Sequence, residues 1–313
     1  MQNKKVSVIM SVYNETENEL KAAIDSILSQ SFNDFEFIIV LDNPKNTVLC
    51  DMIRQYLKQD NRIIFLKNEE NKGLPFSLNR ALTKARGEYI ARMDADDISY
   101  QNRLEKQINY IEATGMDLIY SGIEYIDESG KSLWKSDALG KSSRKCRNTI
   151  KYVNCSSHPT WFFRKKILDA VTGYNDIPFA EDYDFLCRVI SSGHKACGMD
   201  EILLKYRMRS ESFSNSNKVY QDIMSKCISE EYRKRFNRYS SKRVMEMYQK
   251  CIQDKKYCCF IQERYENGQE YKKCFRKRQY FQGMAIIIKS FFKHPSLVGE
   301  IYRKGYIKII NIL

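Results

Sequence analysis

Four short apolar runs, each ended by a break in hydrophobicity, organise the first hundred positions. They are Lys5–Val12 (KVSVIMSV), Phe35–Leu41 (FEFIIVL), Arg62–Leu66 (RIIFL) and Glu88–Met93 (EYIARM). Runs of five to eight residues, rich in β-branched side chains, predict strands buried on both faces, as in a parallel sheet. Between them the period changes. Asn14–Gln30 sets Leu20, Ala23, Ile24, Ile27 and Leu28 at helical spacing, and Thr47–Leu57 and Leu74–Ala85 read as helices too. Gly87 is the expected stop of the third helix. Such alternation implies right-handed βαβ units in a doubly wound α/β sheet. Further on, 101–114 and Glu181–Ser192 read as helices. Asp117–Ile126, His158–Arg164 and part of Ala196–Arg207 read as strands, and 127–157 reads as irregular. No internal repeat is visible.

In a sheet of this kind ligands bind beyond the carboxyl ends of the strands. Three of the first four strands carry polar or acidic residues there: Tyr13-Asn14-Glu15, Asp42, and Asp94-Ala95-Asp96-Asp97. Two carboxylates at i and i+2 in a loop suit a hard divalent cation, Mg²⁺ or Mn²⁺, which completes its shell with water and phosphate oxygens. The bland alternative is a solvated helix start, where carboxylates are favoured. Asp42 reads either as the head of an Asx turn before Pro44 or as an acceptor for a nucleobase N–H. Tyr13 reads either as a stacking ring or as cover for the sheet edge. Glu181-Asp182-Tyr183-Asp184 opens a helix; one of its carboxylates could serve as a general base. Arg92 and Arg103 flank the acidic loop, and pairing with its carboxylates is favoured over phosphate binding. Trp161, in the run WFF, reads as core rather than as a platform for an acceptor. Gly73 reads as a turn residue after Asn71.

The blocks VSVIMSVYNE, EFIIVLDN, NKGLPFSLNRALTKARGEYIARMDADDIS, RLEKQ, HPTWFFRK, GYND…AEDYDFLCRV and YRMRSESFS follow one another in that order over residues 4–215. This order resembles the family 2 glycosyltransferases of the GT-A fold, above all the bacterial enzymes that build capsule, exopolysaccharide or lipopolysaccharide. The resemblance implies a Rossmann-like mixed sheet with helices on both faces. It also implies inverting transfer of a sugar from a nucleoside diphosphate, most often UDP, to a hydroxyl of a glycan or polyprenyl-linked acceptor, with Mn²⁺ or Mg²⁺ as cofactor. Carried over by position, Tyr13, Glu15, Asp42 and Asp94 would bind the nucleotide sugar. Asp96, with Asp94, would hold the metal, and Asp182 would be the catalytic base. Arg209, His158 and Glu181 are candidate phosphate or acceptor contacts. The chain departs from the family pattern in three places: Leu41-Asp42 leaves one carboxylate where a pair is usual, Ser11 replaces a common Pro, and Tyr206-Arg207-Met208-Arg209 lacks a metal-binding His.

Charge divides the chain. Of 52 Lys+Arg and 39 Asp+Glu, residues 218–313 hold 22 and 9, which leaves 30 of each in 1–217. The expectation is a catalytic domain over 1–217 and a basic, mainly helical region over 218–313. Apolar segments at 284–292 (MAIIIKSFF) and 306–313 (YIKIINIL) next to that charge favour an anionic membrane surface over a solvated appendage or nucleic acid. With no signal peptide and no 18-residue apolar stretch, the expected place is the inner face of the cell membrane. Ten Cys without a C-x-x-C pair fit a reducing compartment and argue against zinc. Two other readings compete with this one. A sugar-nucleotide nucleotidyltransferase would need a Gly-rich loop after the first strand, where Ser11–Glu15 has none. A non-catalytic adaptor would not need to keep Asp42, Asp94, Asp96 and Asp182 together.

Overall fold

The computed structural model describes residues 5–209 and 217–276. Its centre is a nine-stranded mixed sheet. The first half is β1 (Val6–Val12), α1 (Glu17–Leu28), β2 (Phe35–Leu41), α2 (Thr47–Gln59), β3 (Ile63–Lys67), α3 (Leu74–Lys84) and β4 (Tyr89–Asp94). Strands β3, β2, β1 and β4 lie side by side and parallel, as the alternation predicted. Next come β5 (Ile98–Ser99), α4 (Arg103–Thr114), β6 (Leu118–Ile126), β7 (Ser132–Ser136) and α5 (Ser143–Thr149). The remaining elements up to Arg207 are β8 (Phe162–Arg164), the single turn α6 (Leu168–Val171), α7 (Glu181–Ser191) and β9 (Ala196–Arg207). The sheet order is β3-β2-β1-β4-β8-β6-β9-β5, with β7 also on β6.

Each strand sends alternate residues to opposite faces. Val8, Met10, Phe37 and Ile39 meet Leu20, Ile24, Leu49, Ile53 and Leu104 on one side. Ile9, Ile38 and Val40 meet Leu78, Ala81, Phe185 and Leu186 on the other. Helix α1 starts later than the periodicity suggested because Thr16 forms a capping box with Glu19.

Three local expectations are corrected. The stretch 127–157 is not irregular throughout, since β7 pairs with β6 and α5 follows. His158–Thr160 is a 3₁₀ turn, and the strand after it is only Phe162–Arg164. Gly87 does not cap α3, whose last turn is closed by the Ala85 amide. Instead, a Cβ at Gly87 would stand 2.5 Å from the Ser7 nitrogen, so the residue is needed for close approach to β1.

Among the described residues three α-helices follow position 217: α8 (Lys218–Lys234), α9 (Ser241–Gln253) and α10 (Lys255–Arg276). They are not a detached appendage. Ile223, Met224, Ile228, Tyr232 and Val244 share one core with Tyr183, Phe185 and Leu186. Buried Asp184 of α7 accepts from Tyr239 Oη at 2.8 Å and Ser241 Oγ at 2.6 Å. Buried Glu231 accepts from Arg235 at 2.8 Å and Arg243 at 2.7 Å, which ties α8 to α9. Among the described residues no helix is long and apolar enough to cross a membrane. The apolar segments 284–292 and 306–313 lie outside the described residues.

Candidate active site

Strand β8 runs antiparallel to both β4 and β6, so β4 and β6 point the same way. Strand β9 is parallel to β6. The carboxyl ends of β1, β2, β4, β6 and β9 therefore share one rim. Asp94 is the last residue of β4 and sits on it.

Asp94, Asp96 and Asp97 bring one carboxylate oxygen each within 4.8 Å of one another. Crowding of like charges in a half-dry loop disfavours ionisation. Burial first, and then Asp94, push Asp96 up to about 6 against the pull of Arg209. Burial, with Asp96 and Asp94, holds Asp97 well above the usual carboxylate range. Asp97 Oδ1 accepts the Arg207 amide at 2.9 Å, while its buried Oδ2 has no hydrogen-bond partner among the described residues. Three hard oxygen donors that repel each other, one of them bare and buried, fit a divalent cation. Asp97 was missed in the sequence as a ligand because the D-x-D spacing stops at Asp96; its only signal was that it prolongs the acidic run.

Two arginines balance this charge. Arg92 is buried and pairs with Asp94. Burial alone would lower its pKa, but Asp94, together with Tyr174 and Asp97, raises it overall. Arg209 Nε stands 3.2 Å from Asp96 and its Nη2 stands 3.0 Å from Glu19 Oε2. The sequence offered Arg209 as a phosphate or acceptor contact; here its partners are the carboxylates of Asp96 and Glu19. Arg103 corrects the expectation of pairing: its guanidinium donates to the Arg92 carbonyl at 2.7 Å and to Gln107 at 3.0 Å, and no carboxylate among the described residues is bonded to it.

Asp42, at the end of β2, is buried. It does not head an Asx turn; Asn43 does, accepting the Lys45 amide at 3.2 Å. Asp42 instead accepts from the Lys72 amide at 2.9 Å, the Gly73 amide at 2.8 Å and Asn68 Nδ2 at 2.5 Å. It pins the loop before α3, where Gly73 has φ +83° and so needs glycine. Tyr13, just past the end of β1 on the same rim, is 44% exposed. Glu15 accepts the Tyr13 amide at 2.8 Å; burial pushes its carboxyl up to about 7 despite that bond.

Glu181 and Asp182 begin α7. Asp182 Oδ2 accepts from Asn154 at 2.7 Å and Oδ1 from the Tyr183 amide at 2.7 Å. Burial raises Asp182, and burial with the Asp182 charge pushes Glu181 up to about 7. Arg92 lowers both, and Asp94 raises Glu181. The acidic loop and the Glu-Asp pair, far apart in sequence, therefore lie in one electrostatic field around Arg92. Asn154 was not singled out in the sequence; nothing in an irregular stretch marked it. His158 is buried, bonds Tyr174 Oη at 2.8 Å and packs edge-on against Trp161. Burial and Arg92 hold it well below the usual imidazole range, so it is neutral. Trp161 is fully buried, as expected of core.

Such a site can hold a cation through Asp94, Asp96 and Asp97, bind phosphate beside it, and offer a carboxylate base from α7. Comparison with known proteins gives the family and the fold. The sequence model described as "Glycosyl transferase family 2" matches residues 7–172. An uncharacterized glycosyltransferase of Methanocaldococcus jannaschii is 41% identical over 209 residues, covering 66% of this chain and 72% of that protein. The O-antigen biosynthesis glycosyltransferase WbnJ of Escherichia coli is 32% identical over 232 residues, covering 74% and 90%. Among solved structures, S. aureus TarS 1–349 in complex with UDP-GlcNAc superposes with TM-score 0.57 at 20% identity, over 72% of this chain and 66% of that one. The mannosyltransferase PcManGT of Pyrobaculum calidifontis, in complex with GDP-Man and Mn²⁺, superposes with TM-score 0.58 at 14% identity, over 94% and 88%. At these identities the structural likeness shows the fold, a GT-A one.

Proposed function

The chain belongs to glycosyl transferase family 2, and from that membership we propose that it builds a surface polysaccharide by inverting, metal-dependent transfer from a nucleoside-diphosphate sugar. The acceptor is a hydroxyl of a glycan or polyprenyl-linked saccharide, and UDP is the favoured nucleotide. What carries the reading is the gathering of Asp94, Asp96, Asp97 and the Glu181–Asp182 pair around buried Arg92. A sugar transfer with inversion needs an anionic leaving group neutralised on one side and an attacking hydroxyl deprotonated on the other. Mn²⁺ or Mg²⁺ held by Asp96 with Asp94 and Asp97 would offset charge on the departing diphosphate. Arg209, beside Asp96, would share that task once a diphosphate offers it oxygens in place of carboxylates. Asp182 would take the hydroxyl proton; Asn154 holds its carboxylate in place. Tyr13 would stack on the base, Asp42 would set the loop beneath it, and Glu15 would close the nucleoside pocket. The surplus of basic residues after 217 would hold the enzyme on an anionic membrane face, where a lipid-linked acceptor would also lie.

The test is a thermal-shift screen of UDP-, GDP- and dTDP-sugars with Mn²⁺, since donor binding stabilises the folded state. Asp96→Asn should lose the metal-dependent shift. Asp182→Asn should keep it and lose nucleotide release by roughly 10²-fold or more. An Asp96→Asn enzyme with full turnover would refute the metal assignment. Loss of donor binding in Asp182→Asn would remove Asp182 from the role of base.

A further inference from the structure

The chain has two tryptophans. Trp161 is core, but Trp134 on β7 is 51% exposed. Trp134 stands opposite Tyr125 of β6, and Tyr125 stands opposite Tyr206 of β9. Residues directly opposed across strands share a face, so the three rings form a row over three adjacent strands. Trp134 stacks on Tyr125 with centroids 4.6 Å apart and planes 27° from parallel. Tyr125 meets Tyr206 edge-on at 5.6 Å and 73°. Tyr125 covers one face of the indole, and about half of the residue remains exposed.

The inner end of the row belongs to the acidic rim. Burial, followed by the negative field of Asp97, Asp94 and Asp96, raises the Tyr206 phenol. Arg207, the next residue, locks the two parts together. Its Nε donates to the Asp96 carbonyl at 2.9 Å, and its Nη1 to the carbonyls of Asp127 at 3.1 Å and Glu128 at 2.8 Å. The hairpin turn is closed by Asp127, which accepts the Ser129 and Lys131 amides at 2.9 Å each. The ring row is thus fixed relative to the metal-binding loop.

We propose that this row is a saccharide-binding platform, with the exposed part of Trp134 receiving the C–H face of a pyranose ring of the acceptor glycan. The inference rests on the transferase reading above and deepens it by naming where the acceptor chain lies. Axial C–H groups carry slight positive charge and meet the negative face of an aromatic ring. A ring already held by a neighbour loses little entropy on binding. A membrane occupant fits less well. The ring lies flat on Tyr125 within the strand pair, while the hairpin tip is polar Glu128-Ser129-Gly130-Lys131.

Trp134 is the accessible emitter, so acrylamide quenching of tryptophan fluorescence reads its shielding. Tetrasaccharides of glucose, N-acetylglucosamine, galactose and mannose are the probes. At least one should shield Trp134, and Trp134→Ala should raise the KM for that acceptor about tenfold. Nucleotide release from donor without acceptor should stay unchanged, and Trp134→Phe should keep most of the affinity. If no tetrasaccharide shields Trp134 while nucleotide release is intact, the platform is wrong and the transferase reading stands. Shielding with no nucleotide release from any sugar nucleotide would overturn the transferase reading and keep the platform. Shielding by phosphatidylglycerol vesicles in place of saccharide would also refute the platform.

Discussion

Replacing Asp42 by alanine leaves the Lys72 and Gly73 amides and Asn68 Nδ2 without their acceptor. We expect Asp42→Ala to cost about 2 kcal/mol in urea unfolding with no ligand present, and Asp42→Asn to cost less because one oxygen remains. An unchanged unfolding midpoint would show that the loop finds other acceptors. The residue is thus structural as well as a candidate for base recognition, and lost activity in the variant must be read beside its stability. Glu181 carries the opposite kind of strain. Its folded carboxyl stays protonated up to about 7, against 4.5 in the unfolded chain. Between those values the folded state binds the extra proton, so stability falls as pH rises through the window and levels off above it. Glu181→Gln should therefore match the parent near pH 4 and exceed it near pH 8 by about 1–2 kcal/mol, after allowance for partial exposure. Equal stability at both pH values would mean that the field around Arg92 relaxes when Glu181 ionises.

Elements followed the sequence wherever the period was sustained. The spans of β2 and α7 match or nearly match the apolar pattern, since a strand buried on both faces or a helix with one long apolar stripe leaves little choice. Short elements were less legible. Strand β7 exposes Leu133 and Trp134 and has only its ladder with β6 to define it, so no burial pattern announces it. Gly87 was misread for a related reason. A helix stop and a backbone crossing look alike in one dimension. Gly87→Ala would drive a methyl into the Val6–Ser7 backbone of β1, 2.5 to 2.6 Å away. Backbone cannot yield as a flexible side chain can, so the variant should lose about 2–3 kcal/mol in chemical denaturation. A loss below 0.5 kcal/mol would mean that β1 can shift.

On the scale of the whole molecule, charge and packing draw different boundaries. The basic surplus begins at 218, yet α8 and α9 complete the core over Tyr183, Phe185 and Leu186. A chain ending at 216 should expose that apolar surface and aggregate in size-exclusion chromatography, whereas one ending at 276 should stay folded. A monomeric 1–216 fragment with a cooperative melt would restore position 217 as a folding boundary. The sequence by itself determined the strand and helix alternation, the polar rim and the acidic motifs, because periodicity and local composition are properties of neighbours along the chain. Only the tertiary structure decided what those motifs touch. It joined Asp97 to the acidic pair and brought α7 into the field of Arg92. It assigned Asn154 to Asp182, and laid Trp134 in a row with Tyr125 and Tyr206. Each of these depends on strand order, register and the path of a loop, which are set by how distant segments pack, and a linear pattern carries no record of that distance.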